Sequence, residues 1–323
     1  MSRLKTETTP LMLGRKRTFW RTFGRDLREN HWLYIMCLPA IATLLVFCYL
    51  PMFGLIIAFQ KMDYKVGIFG SPLVGLDNFK FLFSSSDAWV ITRNTVAYNI
   101  VFIILGMTCS VLFALMISEM TNKLFTKTMQ TIIMMPHFLS WAVVAIIVYA
   151  FLAPTYGFVT NYVKNFGIER INFYMNPSFW PPFLVSLNLW KGIGYSSVVY
   201  LAVITGISRE FYEAAMIDGA TKWQQAKYIT IPHLRAMVSI MLIMSIGGIF
   251  RGDFGLFFLV PMDSGPLYPV TQIIDTYIYR GLTQLQNPNM TAAAGMYQSI
   301  VGFILVLISN AIVNKIDPDY GMF

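Results

Sequence analysis

Residues 211–234 read FYEAAMIDGATKWQQAKYITIPHL, a polar stretch that separates two long apolar runs. Ser208, just before it, can cap a short helix because a hydroxyl oxygen accepts a hydrogen bond from a free amide of the first turn. Glu210 then lies in that turn, where the positive end of a helix favours an acidic side chain. Gly219 permits a turn that a residue with a Cβ would resist. These features predict a short helix followed by a turn.

The second half of the stretch predicts another short helix. Thr221 and Gln224 have the spacing of a capping box, in which each side chain bonds the backbone amide of the other residue. Pro232 should stop or bend this helix, because proline lacks an amide proton and clashes with the preceding turn. We therefore expect helix, turn and helix at the surface of a membrane.

The sequence around this stretch is apolar enough to cross a lipid bilayer several times. Of the 323 residues, 56% are hydrophobic and only 12% are charged, too few charges to cover a soluble protein of this size. Apolar stretches of about 20 residues or more, the length that spans a bilayer, occupy positions 32–59, 90–117, 129–153, 179–205, 234–260 and 292–313. The prediction is an all-α integral membrane protein with about six transmembrane helices. The run at 32–59 is too long for a signal peptide and should remain in the mature protein.

The positive charges predict the orientation. Lys and Arg concentrate in cytoplasmic flanks of membrane helices, and here they lie in segment 1–31, at Lys123 and Lys127, in 209–235 and at Lys315. Both termini should therefore be cytoplasmic, and loops 61–87, 154–176 and 261–290 extracytoplasmic. This gives a basic N-terminal segment (1–31), a transmembrane domain (32–315) with a cytoplasmic loop (207–233), and a C-terminal tail (316–323).

Other interpretations of the composition have little support. The net charge of +8 could indicate nucleic-acid binding, but the basic residues flank apolar runs, which is typical of topology signals. The cysteines and histidines are scattered without the spacing of metal ligands, so no metal site is predicted; they are Cys37, Cys48, Cys109, His31, His137 and His233.

The polar stretch resembles the signature loop of membrane subunits of binding-protein-dependent ABC importers. That signature reads Glu-Ala-Ala, three residues, Gly, nine residues, Ile-x-Leu-Pro. Its counterparts here are Glu213, Ala214, Ala215, Gly219, Ile229, Ile231 and Pro232, with Ile231 in place of leucine. The longer form EAAMIDGATKWQ, which includes Asp218, is similar to the sugar-importer branch. Stretches 38–59, 70–83 and 135–145 resemble its subgroup for complex oligosaccharides.

The resemblance implies a type I ABC permease fold in a bacterial cytoplasmic (inner) membrane and a division of labour among subunits. A second, homologous permease would complete a heterodimer, two ATPase subunits would dock on the cytoplasmic loops, and an extracytoplasmic protein would deliver the sugar. In the loop, Glu213 would be the ionic anchor, Ala214 and Ala215 the close-packing surface, Gly219 the turn and Pro232 the stop. The chain has no GxxxxGK[ST] phosphate loop. We therefore expect no cofactor in this chain, with ATP and Mg²⁺ held by the ATPase partners.

Charged residues at membrane depth are candidates for the substrate path, because their burial in lipid is costly. They are Lys191, Arg251 and Asp253, the last two in a glycine-rich stretch where a broken helix is expected. An ion pair within the chain or between subunits is the alternative. Sugar-binding candidates in the fourth span are Asn188, Trp190, Tyr195 and Tyr200, for which helix packing is the alternative. The two basic residues suggest an acidic sugar such as a uronate oligomer.

Three rival functions remain open at this point. The same architecture could carry amino acids, peptides or ions. A secondary transporter or channel could act without ATP and use the intramembrane charges for coupling. A membrane enzyme has the least support, because no nucleophile, base and orienting residue occur together at a defensible spacing.

Overall fold

The computed structural model describes residues 28–84, 86–165 and 171–316. Most of the basic segment 1–31 and nearly all of the tail 316–323 therefore lie outside the described residues. The chain divides after Leu55 into two compact units, and the packing described below concerns the second. Within the described ranges the backbone is helical except for loops and one isolated antiparallel bridge between Gln60 and Leu73.

The longer helices are α1 (His31–Phe59), α2 (Ser86–Ser118), α3 (Lys123–Met134), α4 (Trp141–Leu152), α5 (Trp180–Thr205), α6 (Arg209–Ile217), α7 (Lys222–Gly247), α8 (Ile274–Thr283) and α9 (Pro288–Ile316). Shorter helical turns occupy Gly67–Gly70, Asp77–Ser84, Met135–Phe138, Phe158–Asn165, Phe173–Met175, Pro177–Phe179, Gly255–Leu259, Gly265–Leu267 and Tyr268–Thr271.

The lengths and compositions of these helices are compatible with about six spans. Among the described residues, α1, α2, α7 and α9 are long and apolar enough to cross a membrane, and α3 with α4 would form a fifth span if the bent pair counts as one. Helix α5 has 26 residues, or about 39 Å at 1.5 Å per residue. It is long enough to span, but Asn188 and Lys191 make it less apolar.

The predicted third span, 129–153, is not one straight helix. The helices on either side of residues 139–140 meet at 93°. Pro136 cannot donate a backbone hydrogen bond, which weakens the helix at this point. Ser140 then begins α4 by accepting a hydrogen bond from the amide of Val143 at 3.3 Å. The bend therefore follows from a proline and a serine cap that the hydropathy pattern does not register.

The predicted fifth span, 234–260, is displaced toward the N-terminus, and Pro232, predicted to stop or bend a short helix, does not end one. Helix α7 begins at Lys222 and runs through Pro232 to Gly247. A π-helical turn at Ala226–Thr230 precedes the proline. This wider turn accommodates the missing amide and the ring, so the proline does not end the helix. What looked like a second short helix is the beginning of the membrane helix itself.

The predicted extracytoplasmic loop 261–290 contains more structure than a simple connection. It includes α8, and Leu267 and Ile273 within it are fully buried. Arg280 forms a buried ion pair with Asp263 at 2.6 Å and stacks on the ring of Tyr268. This pair connects the beginning of the segment, at Asp263, to α8, and each buried charge is compensated by the other.

One of three buried apolar clusters in the described part of the second unit lies where α2, α5 and α7 meet. Tyr200, Leu201 and Leu234 are buried there beside residues of α2. Helices α3 and α5 also approach closely at Gly194, where an added Cβ would overlap the backbone carbonyl of Ile133. Close contact between backbones through small residues is typical of helices packed inside membranes.

Candidate coupling loop and translocation path

The loop between α5 and α7 has well-defined local geometry. Ser208 accepts a hydrogen bond from the amide of Glu210 at 3.4 Å and so begins α6. Gly219, with φ of +78°, ends it. The amide of Ala220 bonds the carbonyl of Ala215 at 2.8 Å, and the amide of Gly219 bonds that of Met216 at 3.1 Å. These two bonds form a Schellman motif, in which the residue with positive φ is usually glycine.

Side-chain contacts join the loop to α7. Thr221 and Gln224 form the predicted capping box. The hydroxyl of Tyr212 in α6 lies 2.9 Å from that of Thr230 in the π-helical turn. The buried side chain of Gln225 donates to the carbonyl of Ala220 at 3.1 Å. Side chains of α6 and the beginning of α7 are therefore in direct contact.

One ion pair joins the loop to another membrane helix. The ammonium of Lys222 lies 3.0 Å from a carboxylate oxygen of Glu119, one residue beyond the end of α2. The two side chains are 68% and 47% exposed. Water screens such a pair, so it stabilises the fold little but connects the loop to α2.

The outer surface of the loop combines the signature residues with exposed apolar side chains. Glu213, Ala214, Asp218 and Gly219 are exposed, and Ala215 is half-buried. Ile229 and Pro232 are half-buried, while Ile231 is 39% exposed. The exposed apolar neighbours include Phe211, Met216, Ile217, Trp223 and Tyr228. A cluster of exposed large apolar residues at one loop is typical of a protein interaction site.

In the membrane region, three of the predicted path residues contact the bend between α3 and α4. Lys191 donates to the carbonyl of His137 at 3.0 Å, and its ammonium lies 5.2 Å from the ring centre of Trp141. Tyr195 stacks on His137, with ring centres 4.5 Å apart. The indole of Trp141 donates to Asp253. Sequence reasoning selected Lys191, Tyr195 and Asp253 but missed the two residues that connect them.

Arg251 lies outside this cluster. Its side chain is exposed, and within the described part of the chain it has no carboxylate partner, so the alternative of an Arg251–Asp253 pair is not realised. It borders a groove of about 430 Å³ between α7 and α9. Trp190 is about half exposed and is also outside the cluster.

Two further predictions for α5 have different outcomes. Tyr200 is only 2% exposed and packs in the core between α2 and α7. It is therefore a packing residue in this structure, which was the alternative, and its contact with a substrate stays a prediction. Asn188 lines a cavity of about 310 Å³ together with Asn99, Ser110, Ser196 and Ser245. These additional polar residues were missed, although polar positions inside apolar spans were a usable signal.

The break after α7 is stabilised by side chains from distant helices. Asn99 of α2 donates to the carbonyls of Ile249 and Arg251 at 3.0 and 3.2 Å. Gln298 of α9 donates to the intervening carbonyl of Phe250. Asp275 of α8 accepts from the amide of Gly252 at 2.6 Å. Non-helical backbone is tolerated at membrane depth only where its polar groups are satisfied in this way.

In the part of the chain that the structure describes, no group of three or more His, Cys, Asp or Glu side chains is placed to hold an ion.

Comparisons with known proteins agree with the loop signature. The family described as binding-protein-dependent transport system inner membrane component matches residues 103–320. The polygalacturonan/rhamnogalacturonan transport system permease protein YteP of Bacillus subtilis (strain 168) is 34% identical, over 90% of this chain and 89% of its own. Protein LplB of the same organism is 31% identical, and the match covers 99% of this chain and 98% of LplB.

Among solved structures, a chain of a bacterial ABC transporter involved in the import of the acidic polysaccharide alginate superposes with a TM-score of 0.83. It is 34% identical, and the match covers 92% of this chain and 99% of that one. A bacterial alginate ABC transporter in complex with an alginate pentasaccharide-bound periplasmic protein gives a TM-score of 0.81, with 98% of that chain covered.

Proposed function

The chain belongs to the family of binding-protein-dependent transport system inner membrane components, and from this premise we propose that it is one permease subunit of an ATP-driven importer of oligosaccharides. The observation that carries the proposal is similarity over nearly the whole chain to permeases named for polysaccharide transport. Such permeases are not enzymes, and a separate ATPase hydrolyses the ATP. The rivals, an ATP-independent transporter and a membrane enzyme, have no comparable support.

The proposed assembly contains this chain, a second related permease, two ATPase subunits and an extracytoplasmic sugar-binding protein. ATP and Mg²⁺ belong to the ATPase subunits. A complex of an alginate transporter with a sugar-loaded periplasmic protein supports the last partner. The exposed apolar residues around Glu213 suit the docking of another protein, with the carboxylate available to a basic side chain of the ATPase.

Coupling would proceed from the loop through α7. The loop is hydrogen-bonded to α7, whose 26 residues extend about 39 Å to the break at residues 248–253. That break carries Arg251 and Asp253, and Asp253 contacts the Lys191 cluster through Trp141. Closure of the ATPase pair would therefore move α6 and α7 as one piece and rearrange the break, which changes the face to which the path opens.

The test of this mechanism is vanadate-sensitive ATPase activity of the complex in lipid, with and without Glu213→Ala. We expect a sugar-loaded binding protein to stimulate the intact complex and to lose this effect in the variant. Glu210→Ala, in the first turn of the same helix, is the matched control and should retain stimulation. Full activity of Glu213→Ala would remove the anchoring role, and failure of any ATPase to co-purify would favour an ATP-independent transporter.

The cargo is proposed to include acidic sugars. Lys191 bonds a carbonyl and faces an aromatic ring, and among the described residues neither it nor Arg251 is paired with a carboxylate. Both cations could thus receive the carboxylates of a uronate oligomer.

Competition between labelled uronate and neutral oligosaccharides tests the acidic cargo. We expect Arg251→Gln, alone and with Lys191→Gln, to lower uronate uptake by roughly tenfold for each charge-assisted hydrogen bond removed, with a smaller effect on neutral sugars. An equal fall in both uptakes would exclude charge recognition, even if oligosaccharide import itself persists.

A further inference from the structure

An apolar groove separates the N-terminal parts of α2 and α5. Its volume is about 610 Å³, and its walls include Ala97, Val101, Pro182, Val185, Leu189 and Val270. Both helices begin, by the predicted topology, at the extracytoplasmic side of the membrane. By that topology the groove lies in the outer half of the membrane, and Arg93 is only three residues inside the predicted span 90–117.

The polar groups beside this groove are occupied by partners within the chain. The hydroxyls of Tyr98 and Ser186 each donate to a backbone carbonyl, at 2.9 and 2.7 Å. The amide nitrogen of Asn94 donates to two further carbonyls, at 3.1 and 2.9 Å. Little hydrogen-bonding capacity remains for sugar hydroxyls, so the groove is unsuited to the transported cargo.

Arg93 supplies the one charge among the described residues that line the groove. Its guanidinium donates to the side-chain oxygen of Asn94 and to the carbonyl of Pro269, at 3.0–3.2 Å. Both acceptors are neutral, and in the described ranges no carboxylate pairs with Arg93. The residue lies about 10 Å along α2 from Ser86. Its positive charge is therefore uncompensated close to the membrane interface.

We propose that this groove binds an anionic phospholipid. One acyl chain would lie against the apolar walls, and the phosphate would contact Arg93, whose planar guanidinium suits phosphate oxygens. An apolar groove with a single unpaired cation at the headgroup level matches a lipid in both chemistry and position. The site is distinct from the sugar path and does not depend on the identity of the cargo.

Native mass spectrometry of the delipidated permease–ATPase complex, titrated with phosphatidylglycerol or phosphatidylcholine, tests the site. Arg93→Gln should weaken phosphatidylglycerol binding by about tenfold. Ala97→Trp should fill the groove and abolish tight binding of both lipids, with Ala97→Leu as a smaller plug if the tryptophan variant does not fold. Arg235→Gln, an exposed arginine of α7, is the matched control and should bind as the unaltered complex does.

Three results would overturn the proposal. Phosphatidylglycerol binding could be the same in the unaltered complex and in the Arg93 and Ala97 variants. Arg235→Gln could reduce it as much as Arg93→Gln, which would indicate general charge attraction. The plugged variants could lose the second permease while retaining lipid, which would show that a protein partner covers the groove.

Discussion

Gly219 is the residue for which sequence pattern and backbone geometry agree most directly. Its φ of +78° lies in the left-handed region, and the Schellman hydrogen bonds of α6 require it. The glycine of the loop signature thus has a physical reason in this chain. It sets the angle at which the chain leaves α6 before α7 begins.

We expect Gly219→Ala to destabilise the loop by about 1–2 kcal/mol, the cost of a left-handed alanine. The reason is backbone strain and not steric crowding, since no atom lies within 4 Å of an added Cβ. Sugar transported per ATP hydrolysed should fall as the angle of α6 relaxes. Gly265→Ala, where the surroundings are equally open but φ is not positive, should leave that ratio unchanged. Unchanged coupling in Gly219→Ala would contradict the argument.

Tyr195 and Tyr200 show the limit of residue-level prediction. Both lie in α5 and looked equally suited to a sugar. A separation of five residues turns a side chain by about 140° around the helix, so one tyrosine reaches His137 and the other enters the core. The low amphipathicity of a membrane helix does not indicate which face meets its neighbours. Only the packing of α2 and α7 decides it.

Helix α7 shows how a local rule is overridden within an element. A proline usually ends a helix, which suggested a short helix followed by a separate span. The π-helical turn at Ala226–Thr230 instead lets the helix continue through Pro232. A sequence pattern rarely reveals a π turn, because it depends on packing around it. Here Thr230 is buried and its hydroxyl contacts Tyr212.

The ion pair between Glu119 and Lys222 predicts an effect on coupling that exceeds its effect on stability. Reversal of one charge, Lys222→Glu, should change the free energy of unfolding by less than about 1 kcal/mol because both groups are largely exposed. Sugar transported per ATP should nevertheless fall, since the loop loses its connection to α2. The double variant Glu119→Lys with Lys222→Glu should restore it. No rescue in the double variant would show that the pair does not transmit movement.

The break in the helix at residues 248–253 could be predicted only in part. Clustered glycines indicated that the helix would weaken after Gly247, and it ends there. The groups that satisfy the exposed backbone come from Asn99, Asp275 and Gln298, on three other elements. Hydropathy of one sequence does not reveal such distant pairings, because each polar residue looks like an isolated exception within an apolar run.

At the scale of the whole molecule, composition and hydropathy were sufficient to predict the helical membrane fold. In lipid, a backbone has few ways to pair its N–H and C=O groups. They were insufficient for the count and shape of the spans. The bend of 93° divides one predicted span into two helices, and the loop 261–290 folds into buried structure. Both features depend on contacts between helices that are distant in the sequence, and a hydropathy average along the chain contains no information about such contacts.

The orientation of the whole chain is the remaining prediction, and two exposed aromatic residues allow it to be tested. Tyr64 lies in the first predicted extracytoplasmic loop and Trp223 in the coupling loop, with exposures of 74% and 68%. The background for this test has Cys37, Cys48 and Cys109 replaced by alanine. We expect Tyr64→Cys to react with a membrane-impermeant maleimide in cells whose cell wall and any outer membrane have been removed but whose cytoplasmic membrane is intact. Trp223→Cys should react only after the membrane is permeabilised. Equal reactivity after permeabilisation is the control for access. The reverse pattern would place the coupling loop outside the cell, where no ATPase could reach it. It would also place the lysines and arginines beside the spans on the side opposite to their usual cytoplasmic one.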